Sequence, residues 1–315
     1  HRLEKLTPAV AQMLHLDADE MATAVRAAAL AKADLASNMV VEMTSLQGIM
    51  GGHYAKRSGE SDAVAEAIAG QYNAVSSSRA GLALAIADRL DSLAGLFAAG
   101  LAPKGSNDPF ALRRAALHLI ENLIAHQQPF DLRAAFAAAA NLLPVPGDDA
   151  VLQEVMGFVN GRLEGVLRDV GHSAFVVKAV LVELGHNPYT ASRVAESLGE
   201  AIAAEDWPQL LDAYARCVRI TRSQSETFTL RPAAFALPAE QELLAAYQQA
   251  AAQQDGTMPT FVATLRALQP AISRFFDDVL VMDEDTAVRH NRLALLQHIA
   301  ALTDGLADLS QLEGF

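Results

Sequence analysis

Three arginines, Arg216, Arg219 and Arg222, fall within two helical turns with no acidic residue among them. A guanidinium is permanently charged and presents a planar fork of donors, so this group can grip phosphate, or the edge of a guanine or cytosine, through two-point contacts. The same side chains also snorkel over neighbouring helices, and the sequence leaves both uses open. A second constellation runs Phe275-Phe276-Asp277-Asp278-Val279-Leu280-Val281-Met282, then Asp283-Glu284-Asp285, then Arg289-His290-Asn291-Arg292-Leu293. On a helix beginning at Thr286, the apolar stripe is Val288, Leu295, Leu296, Ile299 and Leu302, and Arg292 falls near its middle. A guanidinium buried there needs a carboxylate. Asp277, Asp278, Asp283, Glu284 and Asp285 stand near it in sequence. Arg292 is therefore expected to be a structural clamp that pins the acidic turn to the last helix. Arg289 and Asn291 lie off the stripe and are the better candidates to meet a polyanion.

The first half offers Lys104, Arg113 and Arg114, with Lys56 and Arg57, as its compact positive residues. A solvated face with i,i+4 pairs is expected of them, and contact with a polyanion is the alternative. Asp88 and Asp91 stand one turn apart, opposite a stripe of Leu82, Ile86, Leu90, Leu93 and Phe97. They are expected to form a solvated acidic face with local salt bridges. The alternatives are charged contacts with another helix or subunit, and a metal site at Asp88. Gly48, Gly51 and Gly52 lack the spacing of a phosphate loop and read as a turn between helices. His53 and Tyr54 are expected to pack inside rather than stack on a nucleotide. No nucleophile and base stand in a convincing constellation, so no catalytic residue is assigned.

The elements that must position these residues are helical. Ala and Leu dominate, apolar residues recur at three and four, and period-two alternation is almost absent. Starts are marked at Asp17–Glu20, at Ser77-Ser78 and at Asp108-Pro109, where an N-cap Asp precedes a Pro suited to the first helical position. Leu143-Pro144-Val145-Pro146-Gly147-Asp148-Asp149 is the clearest break, which divides the chain into residues 1–146 and 147–315. Residues 227–238 are a second irregular stretch, expected to cross the surface between helices. The 315 residues are 51% hydrophobic, enough for well-buried cores. No charge-free apolar run reaches membrane-spanning length. The single cysteine, Cys217, excludes an internal disulfide, makes a cysteine-based zinc site improbable, and fits a reduced, cytoplasmic setting. A net charge of −13 disfavours general nucleic-acid binding and confines any such contact to local basic faces. The start, His1-Arg2-Leu3-Glu4-Lys5-Leu6, reads as an amphipathic helix from inside a longer protein rather than as a signal peptide.

Several motifs carry a family resemblance. Lys32-Ala33-Asp34-Leu35, Met39-Val40-Val41-Glu42 and Leu46-Gln47-Gly48-Ile49-Met50-Gly51-Gly52-His53-Tyr54-Ala55 resemble the K-x-D-L, M-V-x-E and L-Q-G-x-M-G-x-x-Y-A segments of the bacterial glycyl-tRNA synthetase β subunit. Residues 85–93 and 105–115 fit the same family. Asn160-Gly161-Arg162-Leu163, with Arg168, resembles its R-L segment. Arg216-Cys217-Val218-Arg219-Ile220 resembles its R-V-x-x-I helix, departing at the second position. The strip that begins at Phe275 resembles the anticodon-binding helices of aminoacyl-tRNA synthetases.

The resemblance implies an all-α chain, an HD-like helical bundle followed by a helical anticodon-binding bundle. It implies tRNA(Gly) and a separate α subunit as partners, joined in a heterotetramer, with no membrane and no DNA. ATP and magnesium would belong to the α subunit, and this chain itself would bind no cofactor. Arg216, Arg219, Arg222, Arg289, Asn291, Arg113, Arg114 and Lys104 become its candidate tRNA contacts. HD-family phosphohydrolases hold a divalent metal with a His, a His-Asp pair and a later Asp, and the helix around Asp88 is similar to their last ligand helix. No His-Asp dipeptide occurs here, and Lys32 stands where the pair would fall. An ammonium in place of an imidazole puts positive charge where a cation should sit, so a reused binding fold is expected over a metal phosphohydrolase. A purely structural helical scaffold is the other rival.

Overall fold

The computed structural model describes residues 1–315. The chain is all-α. Fifteen α-helices and five short 3-10 turns follow one another, and the one extended pairing is an isolated bridge between Lys104 and Asn107. No helix is long and apolar enough to cross a membrane. The chain forms two compact units, residues 1–166 with 185–190, and residues 167–184 with 191–315.

The first unit contains α1 (Arg2–Met13), α2 (Ala18–Leu30), α3 (Asn38–Glu42), α4 (Ile49–Arg57), α5 (Asp62–Gly70), α6 (Arg79–Ala98), α7 (Leu112–Ala125), α8 (Leu132–Ala140) and most of α9 (Asp149–Asp169). Its axis is α6, which packs against α1, α2, α5, α7 and α8. Every residue from Ala80 to Asp91 is buried. The leucine stripe accounts for one side only. Ala83, Leu84 and Ala87 fill the other, because small side chains let helices approach from all directions. Asp88 and Asp91 are thus drawn inside instead of forming a solvated face.

Asp17 and Ser78 cap α2 and α6 by accepting the Glu20 and Gly81 N–H groups. The third start falls later than its Asp-Pro signal suggests. The Asp108 carboxylate reaches past Pro109 to the N–H groups of Leu112 and Arg113 (2.8 and 3.0 Å), and α7 begins only at Leu112. Ala111, just before it, takes a left-handed φ of 53°.

The glycine cluster divides between two roles. Gly48 makes the expected turn with a φ of +77°. Gly51 and Gly52 instead lie within α4 against α5. A Cβ on Gly52 would stand 2.7 Å from the Ala65 carbonyl oxygen and 2.8 Å from the Ala69 Cβ. With the glycines turned inward, His53 and Tyr54 face outward and are exposed, contrary to the expected packing.

The second unit contains α10 (Ala174–Leu184), most of α11 (Pro188–Ile202), α12 (Trp207–Thr221), α13 (Pro238–Ala251), α14 (Met258–Asp278) and α15 (Thr286–Ala300). Here α12 packs on α14 and α15, and α13 packs on α14. The apolar face of α12, with Leu210, Leu211 and Tyr214, is buried in that contact. The Tyr214 hydroxyl donates to the Ala300 carbonyl at 2.6 Å, so this polar tip is satisfied inside the core.

Candidate nucleic-acid interface

The arginine helix is α12. Its inward face includes Ala213 and Cys217, and burial pushes the Cys217 thiol up to about 12, so it remains a packed, protonated group. Arg216, Arg219 and Arg222 leave the opposite side, but they are not equivalent. Arg216 is half-buried, with its guanidinium 4.4 Å above the Phe276 ring and 4.0 Å from an Asp277 oxygen. Arg219 and Arg222 are exposed. Their guanidiniums lie 5.6 and 5.9 Å from the centre of one ring, Phe315, and neither forms an ion pair. Two adjacent charges beside an aromatic surface can contact phosphate while a base or ribose lies nearby.

The acidic turn organises α15. Arg292 is 5% exposed. Its Nε donates to Glu240 at 2.6 Å, and its Nη1 donates to Asp283 at 2.7 Å and to the Leu280 carbonyl at 2.9 Å. Glu240, itself buried, uses its other oxygen to accept the Ala236 and Leu237 N–H groups at 2.9 Å. One guanidinium therefore ties together the acidic turn, α15 and the start of α13. Asp283 is the partner its position suggested, whereas Glu240 lies 52 residues away. The Asp285 backbone N–H, and then Arg292, hold the Asp283 carboxyl below its usual range.

Arg289 and Asn291 differ from the expectation that they face a polyanion. Arg289 folds onto the same turn, donating to the Asp283 carbonyl at 2.7 Å and to the Thr286 hydroxyl at 3.2 Å. Asn291 is 4% exposed. Its Oδ1 accepts the Arg231 N–H at 2.7 Å and its Nδ2 donates to the Arg231 carbonyl at 3.1 Å. Gln297 repeats the device, accepting the Phe228 N–H and donating to the Glu226 carbonyl. The irregular stretch at 227–238 is thus fastened along α15 by two side-chain amides that stand in for a neighbouring strand. Paired with opposite backbone groups, such amides satisfy residues that belong to no helix or sheet. Nothing in the residue pattern marks this arrangement, because an amide clamp has no fixed spacing.

In the first unit, Lys104 is exposed at the isolated bridge. Arg113 closes the same loop, donating to the Gly105 carbonyl and lying 3.9 Å from Asp108. Arg114 is exposed and has no carboxylate partner. The structure therefore separates these three by role.

Asp88 is 7% exposed, and its carboxylate lies 2.5 Å from the Lys32 ammonium. Asp91 forms a two-point pair with Arg2, at 2.6 and 3.1 Å. Neighbouring Asp34 is buried and accepts the N–H groups of Gly48 and Gly51, fastening the turn that starts α4. No three His, Cys, Asp or Glu side chains come together in a group suited to a metal. What lies beside Asp88 is a lysine cation, and its charge neutralises the carboxylate that a metal would need.

A family profile described as glycyl-tRNA synthetase beta subunit matches residues 1–182. A second, described as DALR anticodon binding domain, matches residues 210–309. The glycine--tRNA ligase beta subunit of Desulforudis audaxviator is 40% identical over 98% of this chain and 47% of its own length. That of Myxococcus xanthus is 38% identical over 94% of this chain and 45% of its own length. The chloroplastic/mitochondrial glycine--tRNA ligase 2 of Arabidopsis thaliana is 37% identical over the whole chain and 30% of its own length. The chain spans about half the length of the bacterial relatives.

Proposed function

The chain belongs to the glycyl-tRNA synthetase beta subunit family, and we propose that it is the tRNA-recognising, non-catalytic part of a glycine–tRNA ligase. It holds tRNA(Gly) in register with an active site on a separate α subunit, which supplies the chemistry with ATP and magnesium. The assembly is an α and β heterotetramer working in the cytoplasm, and it contacts neither membrane nor DNA. The observation that carries this reading is the pair Arg219 and Arg222, exposed and in no close ion pair at the C-terminal end of a helix within the matched anticodon-binding region. Positioning is a sufficient contribution, because holding a large substrate in register removes much of the entropic barrier to a distant step.

The first unit acts in the same reading as an HD-like bundle reused for binding. Lys32 against Asp88 supports that reading over a metal phosphohydrolase. The test is a filter-binding comparison of tRNA(Gly) with a tRNA of another anticodon. Preferential binding of tRNA(Gly), lost in Arg219→Ala/Arg222→Ala, is expected. Equal binding of both tRNAs, or no effect of the double substitution, would reduce the chain to a scaffold.

A further inference from the structure

The first unit holds a cavity of about 340 Å³ whose wall includes Lys32, Asp88, Arg89, Phe110, Arg114 and His118. We propose that this cavity binds a nucleoside phosphate, with the phosphate among its cations and the planar base against Phe110.

Charge is the first argument. The chain carries −13, yet this wall brings together Lys32, Arg89 and Arg114 against one carboxylate, Asp88, which Lys32 already neutralises. Arg89 is 5% exposed, and its terminal nitrogens donate to the carbonyls of Gln71, Ala85 and Asn73. Carbonyls satisfy its hydrogens without cancelling its charge, and its buried Nε has no acceptor. Arg114 is exposed and unpaired. A concave wall with uncompensated cations concentrates its field on an anion.

Backbone strain is the second argument. Four residues other than glycine have a left-handed φ, and two of them, Lys32 (67°) and Ala111 (53°), line this one cavity. Such conformations persist where the surroundings enforce them, and they gather at ligand sites. One aims the Lys32 side chain at Asp88, and the other sets the turn between Phe110 and Arg114.

The remaining groups decide the ligand class. Phe110 is 49% exposed and lines the cavity, so its ring is open for stacking on a base. Burial, with the charges of Asp88 and Asp34, raises the Tyr72 phenol, so it remains a donor. Burial, with Arg89 and Arg114, lowers His118, which stays neutral in this cationic setting. The volume suits one small ligand rather than a folded nucleic acid. A free nucleotide and one nucleotide unit of an RNA chain present the same chemistry.

Calorimetric titration of the full chain with AMP, GMP and inorganic phosphate tests the assignment. Saturable one-to-one binding of a nucleoside monophosphate is expected. Arg114→Glu should weaken it at least about tenfold, the loss of one charge-assisted contact. Phe110→Ala should weaken the nucleotide but leave inorganic phosphate unchanged. Both side chains are exposed, so thermal unfolding of each variant should match the parent. Absence of saturable nucleotide binding, or binding indifferent to Arg114→Glu, overturns the proposal. Adding tRNA then separates the two sources. Release of the nucleotide identifies an RNA unit as the occupant, and retention beside bound tRNA identifies the free nucleotide. Arg219→Ala/Arg222→Ala should leave nucleotide binding unchanged, which keeps this result separate from that for the tRNA surface.

Discussion

Arg292 is the residue on which the second unit depends most directly. It is buried between Glu240 and Asp283, and each carboxylate has further backbone hydrogen bonds that rely on its position. Arg292→Ala leaves the nearly inaccessible Glu240 carboxylate without its cation. Removing one partner of a buried pair costs about 3–5 kcal/mol, so the variant should unfold at markedly lower urea. Arg292→Lys keeps the charge but cannot reproduce the forked contacts, and it should fall between the two. A parent-like unfolding midpoint for Arg292→Ala would remove the clamp from the account. The helical wheel placed Arg292 among apolar residues, and the nearby acids supplied Asp283. Glu240 was out of reach of that reasoning, since its approach depends on how α13 packs and not on any spacing.

At the scale of elements, the sequence identified helices more readily than it identified their environments. The Asp17 and Ser78 starts were legible because capping is local chemistry. The burial of α6 on every side was not, because alanine fits solvent and tight packing equally well and hydrophobic periodicity does not tell them apart. Asp88 and Asp91 were misplaced for that reason. The glycines of α4 have the same origin, as their role comes from the nearness of α5. Gly52→Ala should test that contact. The added methyl would meet the Ala65 carbonyl oxygen and the Ala69 Cβ well inside normal distances, and both are held in helix. Overpacking of this kind costs about 1–3 kcal/mol, more than the helix propensity gained from alanine. A lowered melting temperature is expected, as it is for Gly51→Ala, where the added methyl would meet the γ2 methyl of the buried, β-branched Ile68 at 2.8 Å and the Asp34 carboxylate at 3.2 Å. A more stable Gly52→Ala protein would show that α4 and α5 can separate freely.

For the whole molecule, charge links stability and recognition. Arg26 holds Glu60 below its usual range, Arg266 does the same to Asp206, and Asp283 is lowered by the Asp285 N–H and Arg292. A carboxylate with a lowered folded-state pKa stabilises the fold above its unfolded value, and that contribution is lost as pH falls through the folded value. Burial also lowers His118, so stability should begin to decline as pH falls through the ordinary histidine range, about 6.5, and fall further from about pH 4 downward, the ordinary carboxylate range. Urea midpoints measured between neutral and acid pH would expose a contrary trend.

The same distribution of charge would limit how this chain holds RNA in the proposed role. An acidic molecule repels phosphate except where its exposed cations form no close ion pair, and on α12 that condition selects Arg219 and Arg222. Arg216 rests on Phe276 beside Asp277 and has less charge to offer. The number of phosphates neutralised sets the salt dependence of binding, at about −0.7 in log K per log salt for each contact to a single strand. Two contacts predict a slope of about −1.4, and three would give about −2.1. Arg216→Ala should leave the slope nearly unchanged, while Arg219→Ala and Arg222→Ala should each flatten it by about 0.7. Titrations of tRNA(Gly) at several salt concentrations supply the measurement. A steep slope that survives both substitutions would place the RNA on another face, and equal flattening by all three would mean that Arg216 leaves Phe276 when RNA binds.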